Sequence, residues 1–261
     1  MARHVPFGED TGGDGSEQDN AVRLPDEGLL AVNREEFDKF ALEYESLHAA
    51  NIRISGESPA YFAEYKIRDV AAALATSNLQ PSTVLDFGAG IGTSVPYFRQ
   101  FLPRARLTCL DVSQKSLQVG RSRFAQLADF VSFDGQTIPY PEDSFDVCFA
   151  ACVFHHIPVK EHGVLLREFR RVLKVGGLAF VFEHNPYNPL TTRAVRDCAF
   201  DENAVLISAA DLRSRVRAAG FGAVRSAYRI FFPRALRALR PLEPLLTWCP
   251  LGAQYYVQAA K

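Results

Sequence analysis

Residues 83–94 place the strongest constraint on how this chain can fold. The apolar residues Val84, Leu85 and Phe87 predict a buried strand, and three glycines follow at alternate positions, Gly88, Gly90 and Gly92. Glycine is needed where a backbone must turn sharply or approach a ligand, because a Cβ would clash there. Thr93 and Ser94 can cap a helix that starts after the turn. A strand, a glycine turn and a helix N-terminus together predict a nucleotide-binding corner of an open parallel sheet.

The spacing of the glycines narrows the kind of nucleotide. A dinucleotide fingerprint needs a third glycine where this chain has Thr93, and a phosphate-binding P-loop needs a lysine that is absent here. The spacing G-x-G-x-G, with Asp86 two residues ahead, resembles motif I of the class I S-adenosylmethionine (SAM) dependent methyltransferases. In that family the loop packs against the methionine part of SAM. The resemblance implies that the cofactor contacts Asp86, Gly88, Ala89 and Gly90.

A second acid follows the next predicted strand, residues 105–110. Asp111 lies about 20 residues beyond the loop, the separation at which parallel-sheet nucleotide sites place a carboxylate on ribose hydroxyls. The run 110–113 also resembles motif II of the family, which adds Val112 to the expected cofactor contacts. The alternative for Asp111 is a helix N-cap, for which Ser113 is better suited. We therefore predict the ribose role for Asp111.

Further family-like segments follow in order. A short strand, 130–133, ends in Asp134 and Gly135, where the family places the residues that contact adenine; the alternative is a turn residue. The run 138–150 resembles the branch that includes quinone-biosynthesis and many small-molecule methyltransferases, and Ala151 then ends the fourth strand beside the expected cofactor. The pair Gly176 and Gly177 predicts a helix C-terminus before a fifth strand, 178–182.

Three histidines lie where the fourth and fifth predicted strands end. Ligands bind at the carboxyl ends of the strands in open α/β sheets, and imidazole exchanges protons near neutral pH. His184, in the polar loop 183–189, is the first candidate for a general base, followed by His155 and His156. The alternative for one of the adjacent pair is a packing role beneath the cofactor.

The N-terminal quarter has two parts. Residues 1–28 are rich in glycine and acidic residues and predict a disordered tail, whereas 29–78 predict a helical cap before the domain 79–261. Such caps close over SAM in the family, often with an aromatic and a basic residue. The candidates are Tyr61, Phe62, Tyr65 and Lys66, with aromatic helix packing as the alternative for each.

The connection 233–252 precedes the last predicted strand, 254–259, which in this family runs antiparallel between strands five and six. It carries Arg234, Arg237 and Arg240 at helical spacing, together with several leucines and Trp248. This segment could act as a lid on the acceptor side, where arginines would meet an anionic acceptor and the apolar row a lipid tail or membrane surface. The alternative is a solvated basic face on a packed helix.

Composition excludes several other classes. The formal net charge of −1 gives no basic field for nucleic acid, and no apolar run approaches the ~20 residues of a membrane span. The five cysteines form no C-x-x-C pair, which favours reduced core thiols in a cytoplasmic protein over disulfides or a metal site; no metal is predicted.

These features predict an α/β fold: a doubly wound, mostly parallel seven-stranded sheet of the Rossmann-like methyltransferase type with a helical N-terminal cap. The predicted activity is SAM-dependent methyl transfer to an oxygen or nitrogen of a small-molecule, sugar or lipid-linked acceptor. Two alternatives stay open, a non-catalytic SAM-binding partner protein and an NAD-type oxidoreductase. The sequence predicts no oligomeric state.

Overall fold

The structure is a computed structural model that describes Met1, residues 52–198 and residues 201–261. Its seven strands are β1 (Thr83–Phe87), β2 (Arg106–Asp111), β3 (Asp129–Ser132), β4 (Phe145–Ala151), β5 (Leu173–His184), β6 (Gly222–Arg229) and β7 (Gln254–Ala260). The α-helices within these ranges are α1 (Pro59–Thr76), α2 (Val95–Phe101), α3 (Gln114–Phe124), α4 (His162–Val172), α5 (Pro189–Arg196) and α6 (Ala209–Ala218). Short 3₁₀ segments cover Ile52–Ser55, Phe154–His156 and Val159–Glu161, and a longer one covers Arg234–Leu246.

The strands form one sheet in the order β3-β2-β1-β4-β5-β7-β6. Strands β1 to β5 pair in parallel, while β7 pairs antiparallel with both β5 and β6. The predicted doubly wound sheet is therefore confirmed, including the antiparallel last strand inserted between β5 and β6. The carboxyl ends of β1, β2, β4, β5 and β6 share one edge, and the first residue of β7 lies at that same edge.

Alternating side chains of the strands separate two apolar layers, because successive residues of a strand face opposite sides of a sheet. On one side Val84 packs with apolar residues of α1, α2 and α3, including Val70, Phe98 and Leu117. On the other side Leu85 packs with α4 and α6, through Phe169 and Leu212. Helices thus cover both faces, which leaves the carboxyl edge of the sheet as the place for a ligand.

Two predicted helix ends differ from the structure. Ser94 precedes α2 but its side chain makes no capping bond, and the loop is closed instead by backbone bonds such as Val95 N to Gly92 O at 3.0 Å. The prediction that Gly176 and Gly177 end a helix is also wrong. Helix α4 ends at Val172, and the glycine pair lies inside β5, where the pairing with β4 changes register.

Glycine is required in β5 because the backbone of β4 lies very close to it there. A Cβ on Gly177 would lie 2.8 Å from Asp146 O, and Gly176 has φ +80. Because β5 runs from Leu173 to His184, Glu183 and His184 belong to the strand and not to the following loop. Their side chains therefore point to opposite faces of the sheet from fixed backbone positions.

Asp146 ties the opposite, amino-terminal edge of the sheet together. Its Oδ2 accepts from the Ser82 N–H at 2.9 Å and the Thr83 N–H at 2.9 Å, and its Oδ1 lies 2.9 Å from Lys174 Nζ. Burial alone would raise the pKa of this carboxyl, but Lys174 and the hydrogen bonds from Ser82 and Thr83 hold the pKa well below its usual range. Asp146 thus joins β1, β4 and β5 at this edge.

The tail predicted for 1–28 and the part of the predicted cap up to residue 51 lie outside the described residues, apart from Met1. Within the rest of the predicted cap, α1 is helical, and Ser58 caps it by accepting from the Tyr61 N–H. Within the described ranges, no helix combines the length and the apolar character that crossing a bilayer requires.

Candidate active site

The glycine loop is fastened to the end of β2. The N–H groups of Gly88 and Ala89 both donate to Leu110 O, at 2.7 and 3.1 Å. Gly88, Gly90 and Gly92 have φ values of +68, +53 and +77, a backbone region that favours glycine. A Cβ at Gly88 would meet Val153 Cγ2 at 2.4 Å, whereas a Cβ at Gly90 would meet nothing within 4 Å. The loop is therefore closed below and open above, so a ligand can approach its backbone at Gly90.

Asp111 holds this loop from the end of β2. Its Oδ2 accepts from the Gly90 N–H and its Oδ1 from the Ser113 N–H, both at 2.8 Å, and the residue is buried. Ser113 caps α3 by accepting from the Ser116 N–H at 3.0 Å, so Asp111 is not the cap. Each carboxylate oxygen has two lone pairs, so Asp111 can hold the loop and still accept from a ribose diol.

Asp86 supplies a buried acceptor beside the loop. Its Oδ2 has no hydrogen-bond partner among the described residues. Burial, and secondly the nearby Asp111, raise the pKa of the Asp86 carboxyl well above its usual range, against a smaller opposing effect of Lys66. SAM carries an ammonium group and a ribose diol. The unpartnered oxygen of Asp86, the open face of Gly90 and the carboxylate of Asp111 fit these groups.

Asp134 occupies a turn in this structure. It is exposed, and its Oδ1 accepts from the N–H groups of Gln136 and Thr137 at 2.8 and 2.9 Å. Gly135 is buried with φ +90. The geometry shows the turn alternative directly, and the contact of Asp134 and Gly135 with adenine stays a prediction. Val112 lies partly buried against the core beside Asp111.

The four candidates on α1 have different surroundings. Phe62 and Tyr65 are buried, and the Tyr65 hydroxyl donates to Gln254 Oε1. Tyr61 is half-buried with the Arg240 guanidinium 4.7 Å from its ring centre. Lys66 is buried and places Nζ 3.5 Å from Cys152 Sγ. Lys66 and Tyr65 thus reach the ends of the strands, while Phe62 belongs to the apolar layer under α1.

Cys152 follows Ala151 at the end of β4 in a strained conformation, with φ +58. Its Sγ lies 3.8 Å from Gln254 Nε2, in addition to the contact with Lys66. Burial raises the pKa of the Cys152 thiol, but Lys66 and His184 outweigh it and lower the pKa to about 7. A reactive thiol at this position was not predicted from the sequence, which indicated only reduced core thiols.

We expect iodoacetamide to modify Cys152 with a rate that is half-maximal near pH 7, because the thiolate is the nucleophile. Lys66→Met should move this midpoint upward, since it removes the nearest cation. Burial raises the pKa of the Cys109 and Cys148 thiols, so these cysteines should stay unmodified in the same samples. Peptide mass spectrometry across pH 5–10 measures all of them. A Cys152 midpoint near that of a free thiol would contradict the geometry.

The side chain of His155 is engaged on both ring nitrogens. Its Nδ1 lies 2.5 Å from Glu183 Oε2, and its Nε2 lies 3.6 Å from Asp201 Oδ1. Burial alone would lower the pKa of the imidazole, but Glu183 and Asp201 raise the pKa of His155 to about 10. A group that keeps its proton at neutral pH is unsuited to be a general base.

The other two histidines differ in access. His156 Nε2 lies 3.4 Å from Asp201 Oδ1, and its side chain is 11% exposed. His184 is half-buried at the end of β5, with Nδ1 3.3 Å from Gln254 Nε2. The register of the sheet explains this contact, because His184 and Gln254 are paired residues of β5 and β7. His184 also interacts with Cys152, which brings it into one cluster with Cys152, Lys66 and Gln254.

Sequence reasoning did not single out Glu183, Asp201 or Gln254. Glu183 is 1% exposed, and its Oε1 accepts from the N–H groups of Val153 and Phe154 at 3.2 and 2.8 Å. The polar run after β5 pointed to this region but not to the pairing with His155. Gln254 could have been found from its place at the start of an antiparallel strand, whereas Asp201 lies in an irregular connection with no pattern.

The sheet order, the glycine loop and the acid at the end of β2 define the class I methyltransferase architecture. Residues 85–181 match the family model described as Methyltransferase domain. Solved structures share the fold: a SAM-dependent methyltransferase from Thermotoga maritima has TM-score 0.62 at 18% identity, covering 88% of this chain and 99% of that one. A SAM-dependent methyltransferase from Archaeoglobus fulgidus has TM-score 0.55 at 15% identity, covering 78% and 100%.

Curated relatives agree with this class. The ubiquinone/menaquinone biosynthesis C-methyltransferase of Hahella chejuensis is 30% identical over 120 residues, 43% of this chain and 47% of the relative. Its counterpart in Ectopseudomonas mendocina is 32% identical over 132 residues, 48% and 51%. The chain spans about half the length of these relatives. Residues 85–181 thus match a methyltransferase domain, as the motifs predict, and the solved structures that share the fold are SAM-dependent methyltransferases.

Proposed function

We propose that this protein transfers the methyl group of SAM to a small-molecule acceptor at the carboxyl edge of the sheet. The observation that carries the proposal is the cluster of Lys66, Cys152, His184 and Gln254 beside the glycine loop. A protein that merely binds a nucleotide has no need for ionisable groups held at this edge with a thiol pKa near 7. The cluster therefore favours catalysis over the SAM-binding scaffold.

Different residues would bind the cofactor and remove the proton of the acceptor in such a reaction. Bound SAM supplies a methyl group already activated on a sulfonium, so most of the acceleration comes from orientation. Asp86, Asp111 and the glycine loop hold the cofactor, and α1 covers it through Tyr65 and Lys66. An oxygen or nitrogen acceptor also loses a proton, which a base with a pKa near neutral removes best.

We infer that His184 and Cys152 together remove this proton from the acceptor. Gln254 Oε1 accepts from Tyr65, so Gln254 Nε2 is the donor toward His184 Nδ1. The second ring nitrogen then donates toward Cys152, and this interaction helps to keep Cys152 as a thiolate. The Cys152 thiolate takes the proton of the acceptor, and His184 holds that thiolate in its charged form.

The acceptor that fits best is a small aromatic ring with an ionisable hydroxyl and an apolar tail. The segment Arg234–Leu246 follows β6 at the ligand edge and contacts the residues just before α1 through the Arg240–Glu57 ion pair at 2.7 Å. Large apolar side chains are exposed along and just after it, with Leu245 at 71% and Trp248 at 76%. Clustered exposed apolar residues mark an interaction site, here for a lipid-linked acceptor.

An anionic acceptor is less well supported than a lipid-linked one. Arg240 is occupied by Glu57 and Tyr61, which leaves Arg234 and Arg237 exposed for an anionic group. The relatives are named as C-methyltransferases of quinone biosynthesis. A deprotonated phenol is nucleophilic at its oxygen and at the adjacent ring carbon, so the same base serves either acceptor atom.

The test is methyl transfer from labelled SAM to a polyprenyl hydroquinone and to the same ring without its tail. We expect product from the tailed acceptor, and mass spectrometry with NMR locates the methyl group on oxygen or carbon. Clear SAM binding without transfer to any phenolic or amine acceptor would favour the non-catalytic alternative. Binding of NAD in place of SAM would favour an oxidoreductase.

His184→Ala should lower turnover at least about 100-fold, the usual contribution of a general base, while SAM affinity stays unchanged. Asp111 and Leu110 hold the glycine loop through hydrogen bonds that do not involve His184, so the cofactor site should be intact. Calorimetry measures the affinity for SAM, and initial rates with the accepted substrate measure turnover. Normal turnover in His184→Ala would refute the assignment.

Cys152→Ser should also slow turnover. Cys249→Ser is its matched control, because that cysteine is likewise half-buried.

A further inference from the structure

The ends of β4 and of the connection after α5 bring three metal-ligating side chains together. His155 and His156 lie in the 3₁₀ turn Phe154–His156, and Asp201 comes from the irregular connection before α6. One ligand atom from each lies within 4.8 Å of the other two. The backbone reinforces this approach, because the Val205 N–H donates to His155 O at 2.8 Å.

The distances suit a shared ion. His155 Nε2 and His156 Nε2 lie 3.6 and 3.4 Å from the same oxygen, Asp201 Oδ1. These separations exceed the 2.7–2.9 Å typical of charge-assisted hydrogen bonds. They match the separation of about 3.4 Å between two ligands of a tetrahedral ion at about 2.1 Å from each. All three residues are largely removed from water, at 1%, 11% and 8% side-chain exposure.

Glu183 orients the ring of His155 from the side opposite Asp201. It accepts from His155 at Nδ1, so Nε2 faces Asp201, and a metal ion bound there would take the place of the proton on that nitrogen. Histidines that bind metals characteristically make this bond from their other nitrogen to a carboxylate. Two buried carboxylates, Glu183 and Asp201, also need two positive charges nearby. A divalent cation held by two neutral imidazoles gives a neutral cluster.

We propose that His155, His156 and Asp201 bind a divalent transition-metal cation, with Glu183 orienting His155. Two imidazoles and one carboxylate suit Zn²⁺ and its neighbours in the first transition row. Three protein ligands leave one position open to water or substrate, as in catalytic zinc sites. The ring of His155 is 5.2 Å from that of His184, so the ion lies next to the proposed acceptor side. The sequence predicted no metal, because Asp201 lies far along the chain from the two adjacent histidines.

The test uses the full untagged chain, stripped with a chelator and dialysed against Zn²⁺ at pH 7.5. We expect one equivalent of tightly bound Zn²⁺ per chain by elemental analysis and a higher melting temperature than in excess EDTA. Asp201→Asn and His156→Ala should each weaken Zn²⁺ binding at least tenfold. Asp197→Asn is the matched control, because Asp197 is exposed and pairs with Arg193 outside the cluster.

Circular dichroism establishes that each variant is folded before its metal content is compared, and the two ligand variants keep the test valid if one of them unfolds. SAM binding is measured on the same samples, so a failure of the proposed methyl transfer is distinguishable from a failure of the metal site. Less than 0.2 equivalents in the wild type, or equal affinity in the wild type, Asp201→Asn and His156→Ala, would overturn the proposal.

Discussion

Replacement of Asp111 by alanine is expected to weaken SAM binding more than about 100-fold. The carboxylate fixes the open end of the glycine loop through the Gly90 N–H and the start of α3 through the Ser113 N–H. Hydrogen bonds to a charged group contribute about 1.5–3 kcal/mol each, and the variant also lacks the proposed acceptor for the ribose diol. Loss of loop order and of one ligand contact therefore act in the same direction.

Isothermal titration with SAM and with S-adenosylhomocysteine measures the effect. Asp111→Asn should bind with intermediate affinity, because its amide oxygen replaces one of the two acceptors. Asp134→Ala is a useful comparison, since Asp134 is an exposed acid whose bonds in this structure are confined to its own turn. If Asp111→Ala bound SAM as the wild type does, the cofactor site would have to lie elsewhere.

Replacement of Glu183 by alanine is expected to lower the free energy of unfolding by about 3–5 kcal/mol, the cost of breaking a buried charge pair. The side chain accepts from two backbone N–H groups and from His155, all at the end of β4. The variant would leave these donors buried without a partner. At this chain size the melting temperature should fall on the order of 10 °C.

Denaturant unfolding in the presence of EDTA isolates this effect from any metal. Glu183→Gln should lose less, because its shape and one acceptor oxygen remain. Glu202→Ala, at an exposed position close in sequence to Asp201, should leave stability nearly unchanged. A loss below about 1 kcal/mol in Glu183→Ala would mean that the pair with His155 is offset by its own desolvation.

The sequence by itself determined the sheet and the glycine loop at its carboxyl edge. Both follow from local patterns: an apolar run for each strand, glycines where the backbone needs positive φ, and an acid at the end of β2. The prediction that Ser113 rather than Asp111 caps α3 was correct for the same reason, since a cap involves residues three positions apart. The antiparallel position of β7 came from the family resemblance and is confirmed.

The tertiary structure alone decided which side chains meet at the carboxyl edge. Tyr65 and Gln254 are 189 residues apart in the chain, and the register of β5 with β7 places Gln254 opposite His184. Asp201 reaches the two histidines from a connection without periodicity. Periodic patterns report which face of an element is buried, not which distant element lies against it. The low pKa of Cys152 and the pairing of His155 depend on such long-range neighbours, so only the folded chain reveals them.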